Sequence, residues 1–468
     1  MLTIVTNFPS GFANSSMNTA VEELKNFINN SYEIRKWPLK ESIQLAIRST
    51  ILNCWYIFQI FGALIAPTIT ERYGRKIAYT ISTLAMLCAS MIQYIATITK
   101  LPELLIIGRS LCAFFSPLSD IALILYLQEC SLLNLRGTAG FFAEIGYSSM
   151  SLLGSFLGLR SVLGASLSKL LAASILPNIL FVLFILTIPE TPKYLMNVKN
   201  DYENAMKSVE FFYGKNDENA KNILNELIDT NENKKNEKEE KGNFKEIFTT
   251  WNLRQAVILA TMVSILVMPI YPILQSSTYF FEEINVPEIS STTIMVILLV
   301  ASIIGVSLID RFSRRSVILI SGAVSHIFLL FFVISLSLVH MLDWGKYVSI
   351  LCLAGCCFSS GVAVGPTFWF IGPELTPQVH RSGVLCTQFL INNLMTVITN
   401  FSAVWLFQFT GGYIFIPVFT FPAIFALIYI YLYLPETKGR EISNIIKSMH
   451  AKRLKANEII ESLYVVTG

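Results

Sequence analysis

Glu71-Arg72-Tyr73-Gly74-Arg75-Lys76 and Asp310-Arg311-Phe312-Ser313-Arg314-Arg315 are two short charged runs that start 239 residues apart, each set between long apolar segments. Segments 49–70 and 77–99 flank the first and 289–309 and 316–342 the second, all without Asp, Glu, Lys or Arg. About 20 apolar residues cross the hydrocarbon layer as a helix, and short loops rich in Lys and Arg stay on the cytoplasmic side. Each run therefore reads as a tight cytoplasmic turn between two spanning helices.

Working outward from these turns, other markers repeat at nearly the same spacing. Glu129 and Arg136 recur 245 residues later as Glu374 and Arg381, and Pro189-Glu190-Thr191 recurs 246 residues later as Pro435-Glu436-Thr437. Unrelated markers in one order at one period make the chain two homologous halves. Further charge-free segments lie at 170–189, 255–281, 347–373 and 382–435, the last divided by Thr410-Gly411-Gly412. Segments 104–127 (with Arg109 and Asp120), 138–159 (with Glu144) and the polar 1–20 complete twelve spans. The expected fold is an all-α integral membrane protein, twelve transmembrane helices in two six-helix halves. Residues 1–189 form the first half, with a short first helix, and 255–435 the second. Residues 190–254 are a cytoplasmic insert and 436–468 a cytoplasmic tail. Tyr202, Ala205, Met206, Val209 and Phe212 have helical spacing, and so do Ile442, Ile445, Ile446 and Met449 in the tail. The Lys/Glu/Asn run 231–245 lacks a hydrophobic pattern and is expected to be disordered.

Composition excludes other classes. The chain is 53% hydrophobic and 14% charged, where soluble domains carry about 25% charge. A net charge of +3, spread over short segments, argues against a nucleic-acid partner. No Gly-x4-Gly-Lys-Ser/Thr loop for a nucleotide is present. The eight cysteines show no Cys-x-x-Cys spacing, so neither a metal site nor a disulfide framework is expected, and no cofactor is implied. The partners are the lipid bilayer and a small solute, and the location is the cell membrane, multi-pass. The loop after the first span carries Lys25, Arg35, Lys36 and Lys40, yet also the sequon Asn29-Asn30-Ser31. A glycan at Asn29 would require that loop to lie outside, in agreement with the other loops.

Several motifs together resemble the sugar-porter branch of the major facilitator superfamily, and within it the facilitative hexose transporters. They are Glu71–Lys76, Gly108-Arg109, Tyr126-Leu127-Gln128-Glu129, Leu135-Arg136-Gly137, Pro189-Glu190-Thr191-Pro192, Gly365-Pro366 with Trp369 and Pro373-Glu374, and Pro435–Arg440. The resemblance implies the major facilitator fold and no enzymatic activity. It also implies movement of a small polar, hexose-like solute by alternating access. Alternatives are proton- or cation-coupled symport through Glu144, and a transport-dead receptor or scaffold.

The resemblance further implies residue roles. Asn14, Glu144, Gln275, Trp369, Gln388, Asn392 and Asn393 are the expected substrate-binding positions. Arg72, Arg75, Glu129, Arg136, Glu190, Arg311, Arg314, Arg315, Glu374, Arg381 and Glu436 are expected to form a cytoplasmic gate of ion pairs between the halves. The family has helix 7 glutamines where this chain reads Ser264-Ile265-Leu266-Val267-Met268-Pro269, so D-glucose is expected to bind weakly. Asn14 stands where symporters of the branch carry an Asp, which favours uniport. Charge within spans is costly and marks function or pairing. Arg109 and Asp120, about three turns apart, share one helix face, and Asp120 weighs toward a structural role.

Overall fold

The computed structural model describes residues 2–37, 40–131, 136–214, 245–274, 287–338 and 345–453. All regular structure among them is helical. In chain order, α1 is built from Leu2–Asn7, Phe8–Phe12 and Ala13–Thr19, the middle part a wide π-turn containing Pro9 and Gly11. Next come α2 (Val21–Ile34), α3 (Glu41–Tyr73), α4 (Arg75–Thr99), α5 (Pro102–Cys130), α6 (Arg136–Leu157) and α7 (Leu167–Thr187). Then follow α8 (Tyr202–Tyr213), α9 (Trp251–Leu274), α10 (Pro287–Arg311) and α11 (Arg314–Leu338). α12 joins Gly345–Ser359 to Gly365–Glu374 through a π-turn at Ser360–Val364. α13 (Arg381–Thr410), α14 (Gly411–Tyr433) and a tail helix α15 over 442–453 end the described chain.

Ten of these helices are long and apolar enough to cross a bilayer. The other two spans are α1 and α6, whose polar residues turn inward. Phe12, Ser16 and Met17 of α1 and Phe141, Glu144 and Ser148 of α6 are all buried, because the two helices pack on each other. Lipid-facing positions read the opposite way. Leu176, Leu180 and Leu183 of α7 are 66%, 56% and 56% exposed, as a helix surrounded by hydrocarbon permits. The halves meet where α3 packs on α13 and α6 on α10.

One expectation from sequence changes. The stretch after the first span is mostly a helix, α2, with Leu24, Ile28 and Ser31 buried. Arg35 pairs with Glu103 at 2.7 Å, and Arg160 reaches Glu22 at 3.1 Å and Glu23 at 3.4 Å. Asn29 is half-buried on α2, and the Ser31 hydroxyl donates to Phe27 O at 2.6 Å. The spacing over 202–212 does form a helix, α8, and the tail pattern buries Ile445 and Met449 in the main core. The run expected to be disordered falls on 231–244, outside the described residues, with Lys245 alone described.

Close backbone approach sets the packing within each half. A Cβ at Gly62 of α3 would lie 1.9 Å from Phe114 O of α5, and one at Gly305 of α10 would lie 2.1 Å from Val362 O of α12. Small residues let membrane helices touch backbone to backbone. The two glycines are 243 residues apart, so the same crossing is built once per half. Replacement by valine must push the helices apart, which costs about 1–3 kcal/mol or more. Gly62→Val and Gly305→Val are each expected to lower the apparent melting temperature of the purified protein by several degrees. A fluorescence melting curve checks this, and unchanged curves would mean that the helices separate freely.

Candidate functional site

A cavity lies between the two halves, the kind of place where helical bundles bind small molecules. The first half supplies Ser10 from α1, Trp55, Tyr56 and Gln59 from α3, Ser116 and Asp120 from α5, and Glu144 and Tyr147 from α6. The second half supplies an apolar wall of Val267, Ile270 and Leu274 with Tyr271 from α9, and Leu298 from α10. It also gives Gly365, Phe368 and Trp369 from α12, and Phe389, Asn392, Asn393 and Thr396 from α13. The π-turn before Gly365-Pro366 breaks the regular ladder where α12 borders the cavity. Irregular membrane backbone is tolerated in such places.

The polar groups are ordered by short bonds. Trp369 Nε1 donates to Glu144 Oε2 at 2.5 Å, and Ser148 Oγ donates to Glu144 Oε1 at 3.2 Å. The first of these joins the two halves across the cavity. Gln59 Nε2 donates to Ser116 Oγ at 3.4 Å, and Ser116 Oγ to Asp120 Oδ2 at 3.3 Å. Asn14 Nδ2 donates to the Tyr147 hydroxyl at 3.4 Å. Asp120 Oδ1, Asn392 Oδ1 and Asn393 Nδ2 are buried without a hydrogen-bond partner. Arg109, fully buried, donates from Nε to Ile51 O and from Nη1 to Ala13 O, both at 2.8 Å, and sits over the Trp55 ring.

Of the expected substrate positions, Glu144, Trp369, Asn392 and Asn393 line the cavity, and Asn14 reaches it through Tyr147. Gln388 does not line it. Its amide is buried between α12 and α13 and donates to Phe368 O at 2.5 Å, because Phe368 O faces it across that helix contact. Gln275 lies outside the described residues. Asp120, Tyr56 and Tyr147 were not among the expected positions. For Asp120 the sequence carried a signal, a carboxylate within a span. For the two tyrosines it carried none, since an aromatic on a span equally faces lipid.

The end of the bundle that carries the charged turns at Glu71–Lys76 and Asp310–Arg315 repeats one construction twice. In the first half Arg75 pairs with Glu129 at 2.7 Å, and the Thr191 hydroxyl donates to Glu129 at 2.6 Å. Glu190 accepts from the backbone N–H of Lys76 at 3.0 and 3.1 Å, capping α4. In the second half Arg314 pairs with Glu374, and Arg314 Nη1 lies 3.5 Å from the Thr437 hydroxyl. Glu436 accepts from the backbone N–H of Arg314 and Arg315 at 3.1 and 3.3 Å, capping α11.

The expected ion pairing between the halves is thus corrected: Arg75–Glu129 and Arg314–Glu374 each close within one half. Glu190 and Glu436 serve as caps, because an α-helix N-terminus offers unpaired N–H groups and a positive dipole end. Arg315 donates to Tyr431 O and lies over that ring, and Arg381 Nε donates to Thr376 O at 3.4 Å. Arg72 and Arg311 are exposed, Arg72 over the Tyr73 ring. The Arg136 side chain lies outside the described residues. Contact between the halves here comes from the Ser382 hydroxyl donating to Glu71 and the Cys386 thiol donating to Ala63 O at 2.7 Å. Burial pushes the Glu190 carboxyl up from its ordinary value. Burial also acts to raise Glu436, but the Ser313 hydroxyl and the N–H groups of Lys438, Arg315 and Arg314 outweigh it and hold that carboxyl low.

Comparison with known proteins agrees with this geometry. The profile of the family described as "Sugar (and other) transporter" matches residues 1–447, and the chain belongs to that family. Facilitated glucose transporter member 1 of solute carrier family 2 from Gallus gallus is 25% identical over 442 residues, covering 93% of this chain and 89% of that protein. Member 2 from the same organism is 27% identical over 400 residues, covering 84% and 74%. Among solved structures, the proton:xylose symporter XylE bound to 6-bromo-6-deoxy-D-glucose superimposes with a TM-score of 0.80 at 16% identity, covering 96% of this chain and 97% of that one. The inward-open conformation of the xylose transporter XylE from E. coli gives 0.68 at 16% identity, covering 96% and 98%. The protein is a multi-pass membrane transporter of the major facilitator fold, not an enzyme.

Cys386 reports on the closure. It is buried at the α3–α13 contact and opens to solvent only if that contact parts. Glu71→Gln and Ser382→Ala each weaken the hydrogen bond to a carboxylate that joins the halves at this end, worth about 1.5–3 kcal/mol. Both variants are expected to speed maleimide labelling of Cys386, read by mass spectrometry, at least tenfold. Labelling at the parent rate in both would remove this bond from the closure.

Proposed function

We propose that this sugar-family transporter moves a small polar, sugar-like solute across the cell membrane by alternating access, as a facilitative uniporter. One observation carries the reading: a polar cavity between two halves, crossed by the Trp369–Glu144 hydrogen bond. A bond between halves that a solute can replace couples occupancy to opening, since a ligand shifts an equilibrium only through contacts that differ between its states. The cytoplasmic pairs and caps are the elements that hold each half together while the halves rock. The same reading keeps the insert and tail on the cytoplasmic side and a glycan on Asn29 outside.

Two features favour uniport. Asn14 is an amide and does not titrate, and Arg109 donates to the carbonyl oxygens of Ile51 and Ala13. A specific observation favours the second reading, proton coupling: Asp120 and Glu144 both border the cavity, and both are buried. Uptake of labelled D-xylose and D-glucose by proteoliposomes separates the two. Uniport predicts that uptake equilibrates without accumulation and is unaffected by collapse of an imposed proton gradient. It also predicts weak D-glucose uptake, because the apolar α9 wall offers no amide. Two missing amide bonds of about 1–1.5 kcal/mol each make binding roughly 30- to 150-fold weaker than in a site that has them. Accumulation abolished by an uncoupler and by Glu144→Gln would replace uniport with symport.

A further inference from the structure

We propose that the cavity accepts a small hydroxylated ammonium ion, such as an amino alcohol, with its positive group held by Asp120 against the aromatic side of the site. This rests on the reading of the cavity as the transport site and narrows what it takes.

The inference begins with the balance of donors and acceptors. Glu144 accepts two bonds, from Trp369 and Ser148, so its oxygens are engaged. Asp120 is 94% buried, accepts one long bond from Ser116, and leaves Oδ1 with nothing. Asn392 Oδ1 is a second bare acceptor, and Asn393 Nδ2 is the only cavity-lining donor among the buried unpartnered atoms. A bare buried acceptor is costly and a bare carboxylate more so. The occupant that removes both costs brings a positive charge to Asp120 and a hydroxyl donor to Asn392 Oδ1.

The charge balance points the same way. Among the described residues, two carboxyl groups line the cavity and no lysine, arginine or histidine does. Arg109 packs on the lining residue Trp55, but its Nε and Nη1 are turned to the carbonyls of Ile51 and Ala13. A solute cation would therefore meet Asp120 without a competing protein cation at the wall.

The surroundings suit an alkylammonium group in particular. Trp55, Tyr56, Tyr147 and Trp369 also line the cavity, with Trp369 bonded to Glu144. Aromatic faces attract ammonium groups, and the attraction grows when water is excluded. A compact inorganic cation would want several oxygen ligands instead of rings. The hydroxyl of the solute has Asn392 and Asn393 as partners on the opposite half, so one molecule would bridge the halves as the Glu144–Trp369 bond does.

Trp55 and Trp369 give a direct readout. The purified full chain is titrated with choline and with its uncharged carbon isostere 3,3-dimethyl-1-butanol, following tryptophan fluorescence, and labelled choline and D-glucose uptake is measured in proteoliposomes. Choline is expected to bind at least tenfold more tightly than the isostere, and Asp120→Asn to bring that ratio toward one. The ratio in the parent protein stands as the test even if the variant does not fold. Equal affinity for the two compounds overturns the inference. So does D-glucose uptake without any choline response, which leaves the transport reading intact. Choline discrimination with no uptake of either solute sustains the cation site and overturns the transport reading.

Discussion

The N-terminal ends of α4 and α11 are each closed by a glutamate that arrives from more than a hundred residues away, Glu190 and Glu436. A helix that starts at a membrane surface leaves its first N–H groups unpaired. Glu190 takes the N–H of Lys76 with both oxygens, Glu436 takes those of Arg314 and Arg315, and each so ties the last span of its half to the turn between the second and third. Arg75 and Arg314, one position inside these turns, then reach Glu129 and Glu374 at the end of the fourth span. Second, third, fourth and sixth spans are thereby fixed at one corner in both halves. Each half can move as a body because its own polar groups are satisfied internally.

That arrangement changes what the interface between the halves has to do. If the ion pairs lay between halves, opening would require separating charges in a partly buried setting, at several kcal/mol each. With the charges paired inside each half, the contacts between halves are weaker and more easily exchanged. They are the Ser382–Glu71 and Cys386–Ala63 bonds at the inner end and the Trp369–Glu144 bond at the cavity.

The cavity itself is asymmetric. The first half contributes both carboxylates and most of the hydroxyl and indole groups, while α9 and α10 contribute aliphatic side chains apart from Tyr271. Recognition is thus concentrated on α3, α5 and α6, with the amides of α13 opposite. The second half sets Trp369, Asn392 and Asn393 opposite the carboxylates of the first.

Much of this was legible in the chain alone. Charge-free length determined the spans, because hydrocarbon excludes unpaired charge, and the repeated Glu71/Asp310, Glu129/Glu374 and Glu190/Glu436 markers determined the two halves. Glu144 stood out for the same reason, a carboxylate where lipid would reject one, and the structure brings it to the cavity with Trp369. Partner choice was decided only by the tertiary structure. Which arginine meets which glutamate depends on how four helices converge at one corner, and a sequence repeat is equally consistent with pairing within a half or between halves. Tyr56, Tyr147 and Trp55 became cavity residues for a similar reason. An aromatic on a span faces lipid, core or cavity according to the rotation of its helix, and neighbouring helices set that rotation. Gln388 shows the converse, a polar residue inside a span whose amide is taken by the backbone of Phe368 before any solute can reach it.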